Sequence, residues 1–299
     1  MKQNGFHASP NPATDYTAAL ERVNAWPTQE ADQVVWPCQP QFLTHGQKTD
    51  RAIIFFHGYT ACPDQFLQLG QQFHQRGYNV FIPRMQFHGL RDRLTPLHAK
   101  LTAEIITAQA DEAVDIGQGL GEQVQVMGLS MGGIMAAWVA QNRADVARSM
   151  LISPAMAFYA IPYRLTWLVM RLTRLAPNRF RWWDPNRKGK VAYPPYGYPR
   201  NASKALAQLL RLGFIVRQQA RQSRPAAQSI VVVTNAADPS VNHRAVLELA
   251  ESWRQHHPAQ VRLAEFSATQ KLGHDLIDPH QPDARTEIVY PVLIDLMVR

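Results

Sequence analysis

With 299 residues, 46% apolar and 18% charged, the chain is long enough for one large α/β domain or two ordinary ones, and its composition is neither disordered nor collagen-like. No apolar run approaches the roughly 20 residues that cross a bilayer, and Met1 to Pro10 lacks the apolar stretch of a signal peptide, so the sequence as written is expected to be cytoplasmic. The net charge of +8 is unevenly placed: residues 155–225 hold fourteen Arg or Lys against one acid, Asp184, which leaves the remainder mildly acidic. No helix-turn-helix, zinc or RNP pattern accompanies that charge, and a nucleic-acid partner is not expected.

Residues 1–40 read as an N-terminal arm, with a Pro-rich start and an amphipathic stretch, Thr14 to Ala25, that Thr14 would cap. From Phe42 onward short apolar runs alternate with longer helical patterns, the mark of βαβ units and a mostly parallel sheet. Strands are predicted at Ala52 to Phe56, Asn79 to Pro83, Gln123 to Met127, Ser149 to Ser153, Ser229 to Thr234 and Val261 to Phe266. Helices are predicted at Pro63 to Arg76, Thr102 to Leu120, Met131 to Gln141, Asn242 to His256 and Thr286 to Val298. About 75 residues separate the strands ending at Ser153 and beginning at Ser229, far more than a crossover needs. The chain therefore divides into a core, 41–154 and 227–299, and an inserted helical cap, 155–226. Within the cap Ile161, Leu165, Leu168, Leu172 and Leu175 recur at helical spacing, as do Ala205, Leu209 and Leu212. That stripe would either line an acyl pocket or pack on the sheet. Arg164, Arg171 and Arg174 punctuate it, as in helices that rest on anionic interfaces, and a solvated face explains them equally well.

The chemistry lies at the strand ends. The strand closing on Met127 runs into Gly128-Leu129-Ser130-Met131-Gly132-Gly133 and then a helix, which is G-x-S-x-G in its strand–turn–helix setting. Glycines at 128 and 132 permit a turn tight enough to hold Ser130 in strained backbone geometry at a helix N-terminus, where amides favour developing negative charge. The first core strand leads into His57-Gly58-Tyr59-Thr60, and the Tyr59 and Met131 amides are the expected oxyanion donors, with His57 holding the loop. Downstream, Asp238 follows one strand and His274 the next, so the order Ser130, Asp238, His274 supplies nucleophile, orienting acid and base. His88 and His98 precede the nucleophile, His256 and His257 end a helix, and His280 sits in a polar stretch. Asp275 and Asp278 would cap the last helix or steady the His274 loop.

These motifs resemble those of the α/β-hydrolases, and are similar in particular to the bacterial carboxylesterase and monoacylglycerol-lipase-like serine hydrolases, over about residues 50–299. The resemblance implies an α/β-hydrolase fold, a mostly parallel sheet flanked by helices with an inserted helical cap. It also implies cofactor-free hydrolysis of carboxylic esters, with short to medium acyl chains or of monoacylglycerol-like kind, through an acyl-enzyme on Ser130. Serine at 130 sets the chain apart from the dehalogenase and epoxide-hydrolase branches, which use aspartate there. The N-terminal arm and the basic cap, with Trp182-Trp183-Asp184 and Tyr193-Pro194-Pro195-Tyr196, stand outside the common pattern. Trp182 or Trp183 would wall a substrate pocket. The same machinery serves amidases, peptidases, thioesterases and lactonases, and a ligand-binding protein on a hydrolase fold is a competing class. A third class is a membrane-surface protein in which the basic cap contacts anionic lipid.

Cys38 and Cys62 are expected as free thiols. The alternative is a disulfide, reached if Gln39 to Thr44 and Ala52 to Phe56 form an antiparallel hairpin; it would imply an exported protein whose signal is missing from the written sequence.

Overall fold

The computed structural model describes residues 6–26, 31–187 and 194–299; Tyr193 lies outside these. In chain order the strands are β1 (Gln41–Leu43), β2 (Thr49–Phe56), β3 (Asn79–Ile82), β4 (Gly121–Leu129), β5 (Val146–Ile152), β6 (Phe180–Trp182), β7 (Arg200–Ala202), β8 (Ile230–Asn235) and β9 (Val261–Phe266). The helices are α1 (Tyr16–Asn24), α2 (Asp64–His74), α3 (Ala103–Leu120), α4 (Met131–Asn142), α5 (Thr166–Leu175), α6 (Ser203–Gln222), α7 (His243–His256) and α8 (Thr286–Val298).

Seven strands make one sheet in the order β1-β3-β2-β4-β5-β8-β9, parallel except at β1. Its inner strands are buried on both faces: all of Ala52 to Phe56 and all of β8 are hidden from solvent, which is why they read as unbroken apolar runs rather than alternating ones. One face is covered through α3, α4, α6 and α7, and the other through α2 and α8. The hairpin on which the alternative disulfide reading is conditional does not form. β2 is already hydrogen-bonded on both edges, by β3 and β4, so β1 pairs antiparallel with the free edge of β3, Phe42 opposite Phe81.

Three of the helices, α1, α3 and α7, start at side-chain caps. Thr102 accepts the Ile105 amide and Asn242 the Arg244 amide, each just before its helix. On α1 the cap is Asp15, not Thr14, because the Asp15 carboxylate reaches the Ala18 amide. Neither Asp275 nor Asp278 caps α8, whose N-terminal flanking residue is Arg285. The arm is pinned to the core by the Trp26 indole donating to the Arg84 carbonyl (2.9 Å) and the Trp138 indole donating to the Phe6 carbonyl (2.7 Å).

Within 155–226, α6 buries Ala205, Leu209, Leu212 and Val216 in the same apolar cluster as α3 and α4. Helix α5 lies outside it and packs on α6 through Met170, against Ala207 and Leu210. Its leucine stripe neither lines a pocket nor meets the sheet: Leu165, Leu168, Leu172 and Leu175 face solvent, since Met170 and Thr166 take the inward face. A short antiparallel ribbon, β6 with β7, completes the cap. Cys38 and Cys62 are bonded, contrary to the free-thiol expectation; the fold brings their Cα atoms to 5.2 Å and buries both beside Tyr196.

Candidate active site

Ser130 sits between β4 and α4 with φ 58° and ψ −109°, a left-handed backbone that a non-glycine residue adopts only under constraint. The constraint is steric. A Cβ on Gly128 would overlap the Gly132 carbonyl, and a Cβ on Gly132 would overlap the Phe56 carbonyl, so these two glycines let β4, α4 and β2 close on one another. The Ser130 amide donates to Ile152 O (3.0 Å), which fixes the turn against β5. Ser130 is buried, 8% exposed as a residue.

Asp238 follows β8 and His274 follows β9, and the structure joins them: His274 Nδ1 lies 2.7 Å from Asp238 Oδ2. The other Asp238 oxygen accepts the amides of Ser240 (2.8 Å) and Val241 (3.2 Å), leaving its carboxylate fully engaged. Burial pushes the Asp238 carboxyl up, but the His274 hydrogen bond, its charge and the two amides outweigh this and hold it below the usual carboxylate value. For His274 burial acts downward and is outweighed by Asp238 and by the nearby charge of Asp275, so the imidazole titrates above its ordinary 6.5. Ser130 Oγ and His274 make no hydrogen bond to each other; catalytic hydrogen bonds of this kind commonly tighten only around the reacting group.

The loop after β2 stands beside the serine: a Cβ on Gly58 would lie 3.8 Å from Ser130 Cβ. His57 is buried with Nδ1 donating to Gly58 O (2.9 Å) and Nε2 accepting the Met85 amide (3.1 Å). Burial lowers its pKa to about 4, so it stays neutral and holds the loop. Sequence reading missed Gln65. Its Oε1 accepts the Gly58 amide (2.8 Å) and its Nε2 donates to Asp275 Oδ1 (3.3 Å), joining the Gly58 loop to the loop that carries His274.

The cap meets this loop at two residues. The Tyr59 hydroxyl accepts the Ala202 amide (3.1 Å) and donates to His98 Nδ1 (2.7 Å), an imidazole kept neutral by burial. Thr60 receives the Trp183 indole N–H on Oγ1 (3.0 Å) and the Tyr198 amide on its carbonyl (2.9 Å). Trp183 therefore fastens cap to loop and is half exposed, while Trp182 lies in β6 beneath the Arg200 guanidinium. Asp184 accepts the Asn186 amide (2.9 Å). Tyr196 reaches Asp278 on the His274 side, where burial pushes the Asp278 carboxyl up to about 7. A separate cleft of about 560 Å³, lined by Arg51, Arg76, Tyr78 and Arg299, lies at the opposite edge of the sheet, where β2 and β3 begin.

Comparison with known proteins bears on the fold and the family. A thermostable monoacylglycerol lipase of Bacillus sp. strain H-257 is 25% identical over 114 residues, a match spanning 38% of this chain and 44% of that relative's length. A solved structure of metagenome-derived lipolytic enzymes, LipS and LipT, superposes with TM-score 0.64 at 18% identity, covering 89% of this chain and 99% of the other. The monoacylglycerol lipase of Paleococcus ferrophilus gives 0.63 at 16% identity over 87% and 97%. The pattern of the serine aminopeptidase S33 family matches residues 47–264, a span that takes in the Gly58 loop, the serine turn and Asp238. With this match over most of its length, and the sheet order and serine turn described above, the chain belongs to the serine aminopeptidase S33 family of α/β hydrolases.

Proposed function

We propose that the protein is a serine esterase acting on carboxylic esters with short to medium acyl chains or on monoacylglycerol-like substrates. The observation that carries the reading is the hydrogen bond of part-buried His274 to buried Asp238 at the strand ends where Ser130 is held in its strained turn. In the proposed reaction Ser130 Oγ attacks the ester carbonyl as His274 Nε2 takes its proton, and Asp238 holds the opposite ring nitrogen. The Tyr59 and Met131 amides receive the negative charge on the carbonyl oxygen. The proton passes from His274 to the departing alcohol, and water, deprotonated by the same imidazole, releases the acid. These steps use no cofactor. The ester preference draws on the name of the Bacillus relative; the family's own name supports a second reading, cleavage of a peptide amide by the same residues. The buried disulfide suits an oxidising compartment rather than the cytoplasm.

The test is turnover of p-nitrophenyl acetate through laurate beside amino-acid p-nitroanilides, by wild type, Ser130→Ala and His274→Ala. Ester turnover that falls by about four orders of magnitude in both variants is the expected result. Faster p-nitroanilide cleavage would favour the peptidase reading. No turnover, with no labelling of Ser130 by a fluorophosphonate, would favour a ligand-binding protein.

A further inference from the structure

The outer face of the cap shows solvent what a folded chain ordinarily hides. Leu165, Leu168, Leu172 and Leu175 are 48%, 45%, 58% and 86% exposed, and their spacing places them in one stripe along α5. Trp167 is 47% exposed beside that stripe. The inward face of α5 is already satisfied by Met170 against Ala207 and Leu210, so the leucines are not needed for packing. Exposed arginines border them: Arg164 before the helix, Arg171 within it, and Arg179 and Arg181 after it, with the Arg171 guanidinium 4.7 Å over the Trp167 ring. The only acid in residues 155–225 is Asp184.

An apolar stripe bordered by arginines, with an aromatic residue beside it, is the composition of a helix that lies in the plane of a lipid–water boundary. We infer that α5 docks this protein onto anionic lipid surfaces, the leucines entering the acyl layer and Arg164, Arg171, Arg179 and Arg181 meeting headgroup phosphates. A second copy of the chain is the poorer occupant, because pairing the two faces would oppose two strongly basic segments. The inference does not depend on ester cleavage, since an inactive protein carries the same face.

The experiment uses the Ser130→Ala protein in flotation with vesicles of phosphatidylcholine alone and of equal parts phosphatidylcholine and phosphatidylglycerol. Binding to the mixed vesicles is expected, weaker by about tenfold or more on pure phosphatidylcholine and in high salt. Leu168→Asp with Leu172→Asp is expected to lower partitioning by about tenfold or more. Arg164→Glu with Arg171→Glu is expected to remove the preference for phosphatidylglycerol. Melting curves check the fold of each variant, so failure of the esterase reading leaves this test intact. Wild-type flotation by the leucine variant would overturn the inference, and so would an absence of binding to the mixed vesicles, with or without a dimer that the leucine substitutions dissociate.

Discussion

Gln65 shows how much of the site hangs on one uncharged side chain. Nearly fully buried at the start of α2, it accepts from Gly58 and donates to Asp275, partners 7 and 210 residues away. Gln65→Leu strands the Gly58 amide, a loss of about 1–3 kcal/mol that falls on loop position, so kcat/KM should drop by roughly one to two orders of magnitude. The pH profile separates this role from simple packing. His274 must be neutral to accept a proton, and its pKa is held above 6.5, so activity should rise as pH climbs through that higher value. Asp275 contributes to the elevation; Asp275→Asn should move the acid limb to lower pH, and Gln65→Glu, which sets a second carboxylate beside Asp275, should move it higher. The same elevation means the Asp238–His274 contact stabilises the fold fully below pH 6.5 and less as pH rises past the folded-state pKa. The strand-end positions of Ser130, Asp238 and His274 were legible because each follows an apolar run that ends in turn residues. Gln65 was not, since nothing local marks a glutamine whose partner is 210 residues distant.

At the level of elements, Arg143 ties together what the sequence shows only as separate helices. Its side chain is fully buried between α4 and β5 and reaches Asp111 and Asp115 on α3 and Asp145 beside it. Asp111 and Asp115 in turn accept the Ser9 and Asn11 amides of the arm. Arg143→Met leaves Asp111 without its cation and Asp115 with only the longer Arg22 contact (3.6 Å), so unfolding free energy should fall by about 3 kcal/mol in a urea titration. Lysine should restore little of it, because one ammonium cannot address three carboxylates in the plane of a guanidinium. The parallel strands were legible from doubly buried runs such as Ile230 to Thr234, and α8 from the pattern across Thr286 to Val298. The partner of β1 was not, because local pattern does not reveal that β3 and β4 already occupy both edges of β2. Nor did helical spacing say which way the α5 leucines face: the period marks a stripe, and only the docking of Met170 on α6 turns it outward.

For the molecule as a whole, the Cys38–Cys62 bond fastens the end of the N-terminal arm to the segment that follows the Gly58 loop. The bond spans 24 residues, so Cys38→Ser with Cys62→Ser should lower stability by about 3 kcal/mol, read as a fall in melting temperature that excess dithiothreitol reproduces in wild type. The cap is fastened to the same loop. Trp183 and Tyr198, on either side of the ribbon connection, both donate to Thr60, the residue after the proposed oxyanion donor Tyr59. Any swing of the cap large enough to admit a bulky substrate would break those two bonds, leaving the loop held from the core side alone, by Gln65 and His57. Under the proposed mechanism, entry and bond cleavage would then be separated in time: a widely open molecule would bind but react slowly until Thr60 is held again.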